Sequence, residues 1–295
     1  METPLVSVVI TTYKRRPEML LQAVECVRAQ TYRPLEILVV SDNDPDSDDA
    51  RAVGQALSPL ADVRLIQLSR NMGAQVARNT GIRASSGEFV AFLDDDDLWM
   101  PDKLERQIPA FQDPRVGLVY CMGKEIADDP DVCEDYYTTK HGFKTVATFR
   151  DLLIRDCIGS TSQAVVRREC FDVCGYFDEH FRARQDYDRW LSITQKYRAV
   201  GIDKPLFVYR RHVGARITDS FRLAFESNQQ VYRKYIRHFR RCPLACMNYY
   251  YTQAIVLKNG CGSRRYLKFA LYSFLWNPVG FVKKYVNRKR PRARH

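Results

Sequence analysis

No glycine stands ahead of Gly54 in this 295-residue chain, so the turn after the first apolar run, Val6–Thr11, cannot hold a glycine-rich phosphate loop. That excludes both the dinucleotide-binding fingerprint and the P-loop at the place where a parallel sheet would carry them. Acid is almost missing from the other end. Residues 221–295 hold 17 Lys and Arg and a single acid, Glu226, leaving 29 bases and 34 acids in residues 1–220. The formal net charge of +11 therefore belongs to the tail, and a nucleic-acid binder that is basic along its whole length is excluded. No apolar run reaches the roughly 20 residues that a spanning helix needs. The most apolar C-terminal stretch, Phe269 to Val282, is broken by Asn277-Pro278. The Met-Glu-Thr-Pro start lacks the basic and apolar regions of a leader peptide, so secretion is not expected. Nine cysteines, an odd number, fit reduced thiols in a cytoplasmic protein better than a disulfide framework.

What is present along residues 1–122 is an alternation of short β-branched runs with helical patterns, the signature of a parallel sheet covered on both faces. Strands are expected at Val6–Thr11, Leu35–Val40, Val63–Leu68, Glu88–Leu93 and Val116–Met122. Helices are expected after Pro17, near Asp49–Leu57, over Ala74–Ala84 and after Pro101. Residues 123–150 are polar and poorly periodic. Beyond them a helical turn is expected at Phe149–Leu153, a strand at Gln163–Val166, a helix over Asp186–Lys196 and a last strand at Leu206–Tyr209. From about residue 220 the chain reads as helical, basic and rich in tyrosine. Sheets of this kind bind ligands beyond the carboxyl ends of their strands, so function is sought just after each strand.

The strongest signal there is Phe92-Leu93-Asp94-Asp95-Asp96-Asp97-Leu98-Trp99. Four consecutive carboxylates repel one another, and a fold gathers them at a strand end where something positive neutralises them. Hard oxygen ligands suit Mg²⁺ or Mn²⁺ bridging to substrate phosphates. A solvated acidic turn ahead of the next helix is the alternative. A second cluster, Ser41-Asp42-Asn43-Asp44-Pro45-Asp46-Ser47-Asp48-Asp49, follows the second strand. It is not a calcium loop, because Ser47 stands where Gly is required and Val53 where a bidentate Glu is required. Asp42 is placed to accept from a base or ribose, and the later acids to open a helix. The small residues of Asn71–Ile82 let a helix lie close to the sheet, with Arg78 set to meet an acidic group, a phosphate or solvent. In Gln185-Asp186-Tyr187-Asp188-Arg189-Trp190, Asp186 reads alone as a helix cap as readily as a base. Two C-x₃-C pairs, Cys170/Cys174 and Cys242/Cys246, fit thiols one helical turn apart in a core or, less simply, a zinc site.

Taken in order, Ser7-Val8-Val9-Ile10-Thr11-Thr12-Tyr13-Lys14-Arg15, the strand ending at Asp42, Asn71–Ile82, Leu93–Pro101 and Gln185–Leu191 resemble an inverting glycosyltransferase of family 2 with the GT-A fold, of the bacterial polysaccharide or lipid-linked glycan type. The resemblance covers roughly residues 4–215, and the combination of motifs is far more specific than any one of them. It implies a nucleotide-diphospho-sugar transferase fold, a Rossmann-like and mainly parallel sheet, over residues 1–220. A nucleotide-sugar-binding half would occupy about 1–122 and an acceptor-binding half about 123–220. It also implies roles. Thr11, Thr12, Tyr13 and Arg15 would hold the nucleotide, Asp42 the base, and Arg78 the donor pocket. Asp94, Asp95 and Asp96 fall on the family's DxD position, Asp96 as the metal ligand and Asp94 and Asp95 as donor contacts. His212 resembles a late motif near the diphosphate, as a second candidate on the metal. Asp186 falls on the catalytic base, with Gln185 where the family usually has Glu. The implied cofactor is Mn²⁺ or Mg²⁺, and the implied partners are a nucleotide-sugar donor, a UDP-sugar by preference, and a glycan or lipid-linked acceptor.

Residues 221–295 remain outside the resemblance. Tyrosines interleaved with Arg and Lys occur in single-strand nucleic-acid binders and in helices lying on anionic membranes. The apolar stretch from Phe269 next to Lys283, Lys284 and Arg288–Arg290 favours the membrane, through 269–295, over nucleic acid. The expected location is the cytoplasm, with a peripheral attachment to the cytosolic membrane face. The competing reading is a non-catalytic protein that binds nucleotide sugar, nucleic acid or membrane through the tail.

Overall fold

The Val- and Ile-rich run at the N-terminus becomes β1 (Val6–Thr12), buried along almost all of its length, as a central strand covered on both faces must be. Pro17 then opens α1 (Pro17–Arg28) at its first turn, where a missing N–H costs nothing, and Met19, Leu20, Ala23, Val24 and Val27 turn inward. The same alternation continues through β2 (Leu35–Ser41), α2 (Asp48–Leu57), β3 (Val63–Gln67), α3 (Ala74–Ala84) and β4 (Phe89–Asp94). Ser47 caps α2, its Oγ accepting the Ala50 N–H at 3.1 Å, so the later acids of this cluster open a helix as expected. After β5 (Leu98–Trp99) and the short α4 (Lys103–Gln107) come β6 (Val116–Ala127), β7 (Cys133–Glu134), β8 (Val146–Ala147), β9 (Val165–Arg167) and β10 (Arg198–Arg211).

This computed structural model describes residues 3–127, 133–134, 142–211, 220–261 and 264–289. Among them the strands form a ten-stranded sheet in the order β3-β2-β1-β4-β9-β6-β10-β5, with β7 on β6 and β8 on β10. Strands β3, β2, β1 and β4 pair in parallel. The short β9 runs against both β4 and β6, so β6 points the same way as β4, and β10 pairs in parallel with β6. The sheet is thus mainly parallel, with helices on both faces, as the GT-A expectation requires. The expected strand at Gln163–Val166 forms two residues later, because Thr161–Gln163 is wound into a 3₁₀ turn. The helix expected from Pro101 starts at Lys103.

The chain divides into two compact units. One comprises Met1–Phe149, Cys157–Glu179 and Gln185–Val213, and contains the sheet; the other comprises Arg150–Asp156, His180–Arg184 and Gly214–His295. The second is helical, with Phe221–Lys234, Ile236–Arg240, Pro243–Cys261, Tyr266–Trp276 and Pro278–Lys289. Its inside is aromatic. Tyr232 stacks on Tyr249 at 4.0 Å between centroids, and Tyr250 meets Tyr272 edge-on at 5.4 Å.

The small residues of α3 act as expected. A Cβ at Gly81 would stand 2.3 Å from Val9 Cγ1, whose side chain is buried in β1. Gly81→Val is therefore expected to lower unfolding stability by about 1–3 kcal/mol through overpacking. Gly54→Ala, in α2 with nothing within 4 Å of its new methyl group, should be neutral or stabilising. Urea midpoints of the two variants check the pair.

Candidate functional site

Every motif flagged at a strand end lies on one edge of the sheet. The register pairs Thr12 of β1 with Ser41 of β2 and Thr11 with Asp94 of β4, so the carboxyl ends of three adjacent parallel strands are level. Beyond β1 the chain turns sharply at Lys14, whose φ of 48° lies in the left-handed region and whose N–H donates to Asn43 Oδ1 at 2.7 Å. Tyr13 is left exposed at this edge. Beyond β2, Asp42 is 4% exposed and both of its oxygens are engaged, Oδ1 by the Met72 N–H at 2.6 Å and Oδ2 by the Gly73 N–H at 2.9 Å. Burial raises its pKa, and these two bonds pull the other way. Gly73 takes a φ of 93° immediately ahead of α3, a conformation a side chain would strain. Asp42 thus fastens the loop that launches α3, a role its sequence position alone does not reveal.

From α3, Arg78 reaches Asp94, Nη2 to Oδ1 at 2.6 Å, with the guanidinium 5.9 Å from the Phe177 ring centroid. Its Nη1 is buried without a hydrogen-bond partner. Arg15 spans the next two acids, Nε to Asp95 Oδ1 at 3.0 Å and Nη2 to Asp96 Oδ2 at 2.8 Å. The positive charge demanded by four adjacent carboxylates is therefore supplied from within the chain, by two arginines. Asp95 is pushed up to about 6 by burial, which the Arg15 charge only partly offsets. Its Oδ2 has no hydrogen-bond partner.

Asp97 is different from its neighbours. It is buried, and burial raises its pKa well above the ordinary carboxylate range, with Asp94 adding like-charge repulsion. It accepts the Ser162 hydroxyl at 2.6 Å. Ser162 in turn accepts the Asp94 N–H at 3.1 Å through Oγ and the Trp99 Nε1–H at 2.8 Å through its carbonyl. Asp97 and Ser162 therefore hold the turn in which Asp94, Asp95 and Asp96 stand. The solvated acidic turn weighed as an alternative does not form, since Asp95 and Asp97 are buried.

The hard-oxygen set fits a divalent cation. Asp94 and Asp96 are partly exposed at 32% and 26% of their side chains, and the orphaned Asp95 oxygen lies between them in sequence. Among the described residues no three His, Cys, Asp or Glu side chains form a ready-made cage. Mg²⁺ and Mn²⁺ sites completed by substrate phosphates need only one or two protein carboxylates. His212 lies outside the described residues.

Asp186 stands on another element of the same unit, in the first turn of Gln185–Thr194 rather than ahead of it. It is half-buried, and its Oδ1 accepts the Tyr187 N–H at 2.7 Å. The helix is anchored by Trp190, whose Nε1–H donates to the Gly159 carbonyl at 3.0 Å, and by Arg189, whose guanidinium takes the carbonyls of Cys174 at 2.7 Å and Tyr176 at 2.5 Å. Sequence reading brings out Asp42, Arg78 and Asp94–Asp96 but misses Asn43, Ser162 and Arg189. Of these only Arg189, a charged residue on the inner side of an amphipathic helix, left a signal. Arg15, expected on the nucleotide, is turned onto Asp95 and Asp96.

A family model described as "Glycosyl transferase family 2" matches residues 7–175. The chain is 28% identical over 249 residues to the putative teichuronic acid biosynthesis glycosyltransferase TuaG of Bacillus subtilis, covering 83% of this chain and 94% of TuaG. It is 25% identical over 212 residues to the uncharacterized glycosyltransferase MJ1057 of Methanocaldococcus jannaschii, covering 71% of this chain and 72% of that one. Among solved structures, the mannosyltransferase PcManGT from Pyrobaculum calidifontis, in complex with GDP-Man and Mn²⁺, superposes with a TM-score of 0.63 at 21% identity, covering 98% of this chain and 89% of its own. S. aureus TarS 1-349 in complex with UDP gives 0.58 at 18% identity, covering 90% and 74%. At these identities the two structures speak for the fold.

Proposed function

Because the chain belongs to glycosyl transferase family 2 and is a glycosyltransferase, we propose that it transfers a sugar from a nucleoside-diphosphate sugar, a UDP-sugar by preference, to a hydroxyl of a glycan or lipid-linked acceptor. The transfer is a direct displacement with inversion, metal-dependent, with Asp186 as base. The observation that carries this reading is the acid turn Asp94–Asp96, held at the sheet edge by Arg15, Arg78 and the buried Asp97. TuaG, named for teichuronic acid biosynthesis, supports a polymer-building role, and the UDP and GDP-Man complexes of TarS and PcManGT support a nucleotide-sugar donor.

In this reading residues 1–122 take the donor and 123–220 the acceptor. Tyr13, exposed beyond β1, and the backbone of Thr11 and Thr12 line the nucleotide, with Asp42 at the base. Arg78 keeps one buried N–H group free for a donor oxygen while its other nitrogen fixes Asp94. Asp96 and Asp94 would hold a divalent cation, which neutralises the charge that develops on the departing diphosphate. Arg15 shares Asp95 and Asp96 with that site and keeps them from repelling one another before the donor arrives. Asp186 accepts the proton of the acceptor hydroxyl as its oxygen closes on the anomeric carbon, which requires approach to about 3 Å.

Thermal stabilisation by a panel of UDP-, GDP- and dTDP-sugars, each with and without Mn²⁺, tests the reading. We expect stabilisation by one nucleotide class that grows with Mn²⁺, and its loss in Asp96→Ala. A protein that no nucleotide sugar stabilises would refute the donor assignment. Equal stabilisation without Mn²⁺ would refute the metal.

A further inference from the structure

The helix Tyr266–Trp276 is apolar on both sides, and among the described residues only one side has protein against it. Inward, Ser273 is buried and donates to the Met247 carbonyl at 2.8 Å, and Phe269 packs against Phe225 at 5.6 Å between centroids. Outward, Leu267, Leu271, Phe274 and Leu275 are exposed by 56%, 55%, 40% and 63%. These four recur at helical spacing and fall in one arc of about 100°, where a surface helix is ordinarily polar. Asn277 then turns the chain, its Oδ1 accepting the Gly280 N–H at 2.9 Å, and the helix Pro278–Lys289 continues the apolar surface with Val279 and Val282, exposed by 66% and 50%. Phe281 ties the two helices together, with its ring 5.9 Å from Phe274 and 6.0 Å from Tyr251.

Contiguous exposed apolar side chains of this kind mark a surface that something covers. The charge around them says what. Arg264, Arg265, Lys268 and Lys283 are all exposed beside the patch. The single acid of residues 221–295, Glu226, is paired with Arg222 at 2.8 Å. A protein partner would have to match an apolar strip rimmed by four exposed cations, whereas an anionic bilayer presents acyl chains beneath a negative surface in that arrangement. Among the described residues no helix is long and apolar enough to cross a membrane. The surface is built to lie in the interface rather than to span it.

We propose that the outer face of Tyr266–Trp276 and Pro278–Lys289 docks on an anionic lipid bilayer, with Leu267, Leu271, Phe274 and Leu275 inserted at the acyl boundary and Arg264, Arg265 and Lys268 on the headgroups. The proposal stands on these helices alone and does not depend on the identity of the donor or of the catalytic base.

Cosedimentation of the full chain with vesicles of phosphatidylcholine alone, and of phosphatidylcholine with 30% phosphatidylglycerol, tests it. The expected result is binding to the anionic vesicles at least tenfold tighter than to neutral ones, weakening as salt rises. In Leu267→Gln/Leu271→Gln/Leu275→Gln binding should fall at least tenfold with the thermal midpoint unchanged, because these side chains are not part of the packed interior. In Arg264→Gln/Arg265→Gln/Lys268→Gln the preference for anionic vesicles should shrink. No binding by the wild-type chain, or undiminished binding by the leucine variant, would overturn the proposal. So would a wild-type dimer in light scattering that the leucine variant dissolves, since the patch would then be covered by a second copy.

Discussion

Asp186→Asn is expected to lower the rate of sugar transfer about 10²–10⁴-fold, the range in which a positioned general base acts, while leaving the affinity for the nucleotide sugar within about twofold. The substitution is nearly isosteric, and the local structure tolerates it. The Tyr187 N–H that donates to Asp186 Oδ1 at 2.7 Å finds the same oxygen in Asn. The helix is pinned by Arg189 on the backbone carbonyls of Cys174, Gly175 and Tyr176 and by Trp190 on that of Gly159. The change therefore removes a proton acceptor while the helix that carries it stays anchored. Arg78, Arg15 and Asp94–Asp96, the groups proposed to serve the donor, belong to other elements and keep their contacts. Transfer of labelled sugar under saturating donor, together with donor affinity from calorimetry, separates the two quantities. A variant that retains full transfer would remove Asp186 from the mechanism, and one that loses donor binding would make it a donor residue instead.

Much of this arrangement was written locally in the chain. β-branched runs bounded by turn residues form strands because their own side chains prefer the pleat, and the ends of β1, β2 and β4, the last two carrying the acids, fall level because parallel pairing in register puts them there. Cys170 illustrates a reading that spacing alone left open. In the described structure it is buried with its Sγ 3.6 Å from the Gly117 carbonyl, and its thiol is pushed up to about 12 chiefly by burial, so it serves as a small core group. What was not legible depends on which segments meet. The three residues of β9 carry no mark that they will slide between β4 and β6, and pairing partners leave no periodicity of their own. Ser162 looks like any loop serine until the turn before β9 brings it under Asp97. The four aspartates read as one cluster. Only the backbone at the strand end separates Asp95 and Asp97, which are buried, from Asp94 and Asp96, which stay partly exposed.

The second large effect is expected at a buried cation. Lys103, in the first position of α4, is fully buried, its Nζ has no hydrogen-bond partner, and it rests 3.9 Å from the Trp99 ring centroid. Burial lowers its pKa from 10.5 to about 8, with Cys121 and Cys26 opposing the shift weakly. A displacement of this size corresponds to a cost of about 3 kcal/mol for keeping the ammonium charged in the folded state, of which the contact with Trp99 returns about 1 kcal/mol. Lys103→Met, similar in volume and without the charge, is thus expected to raise unfolding stability at pH 7 by about 1–3 kcal/mol. The pH dependence identifies the cause. Between about 8 and the unfolded value near 10.4 the native chain has released this proton while the unfolded chain still holds it, so the unfolded state binds more protons and wild-type stability gains with pH from this group. The advantage of the Met variant should be greatest below pH 8 and should close as the pH approaches 10.5. Urea midpoints of both proteins across pH 7–10.5 measure the gap. A gap that stays constant would assign the gain to packing, and a destabilised variant at pH 7 would mean that the Trp99 contact outweighs the desolvation of the ammonium.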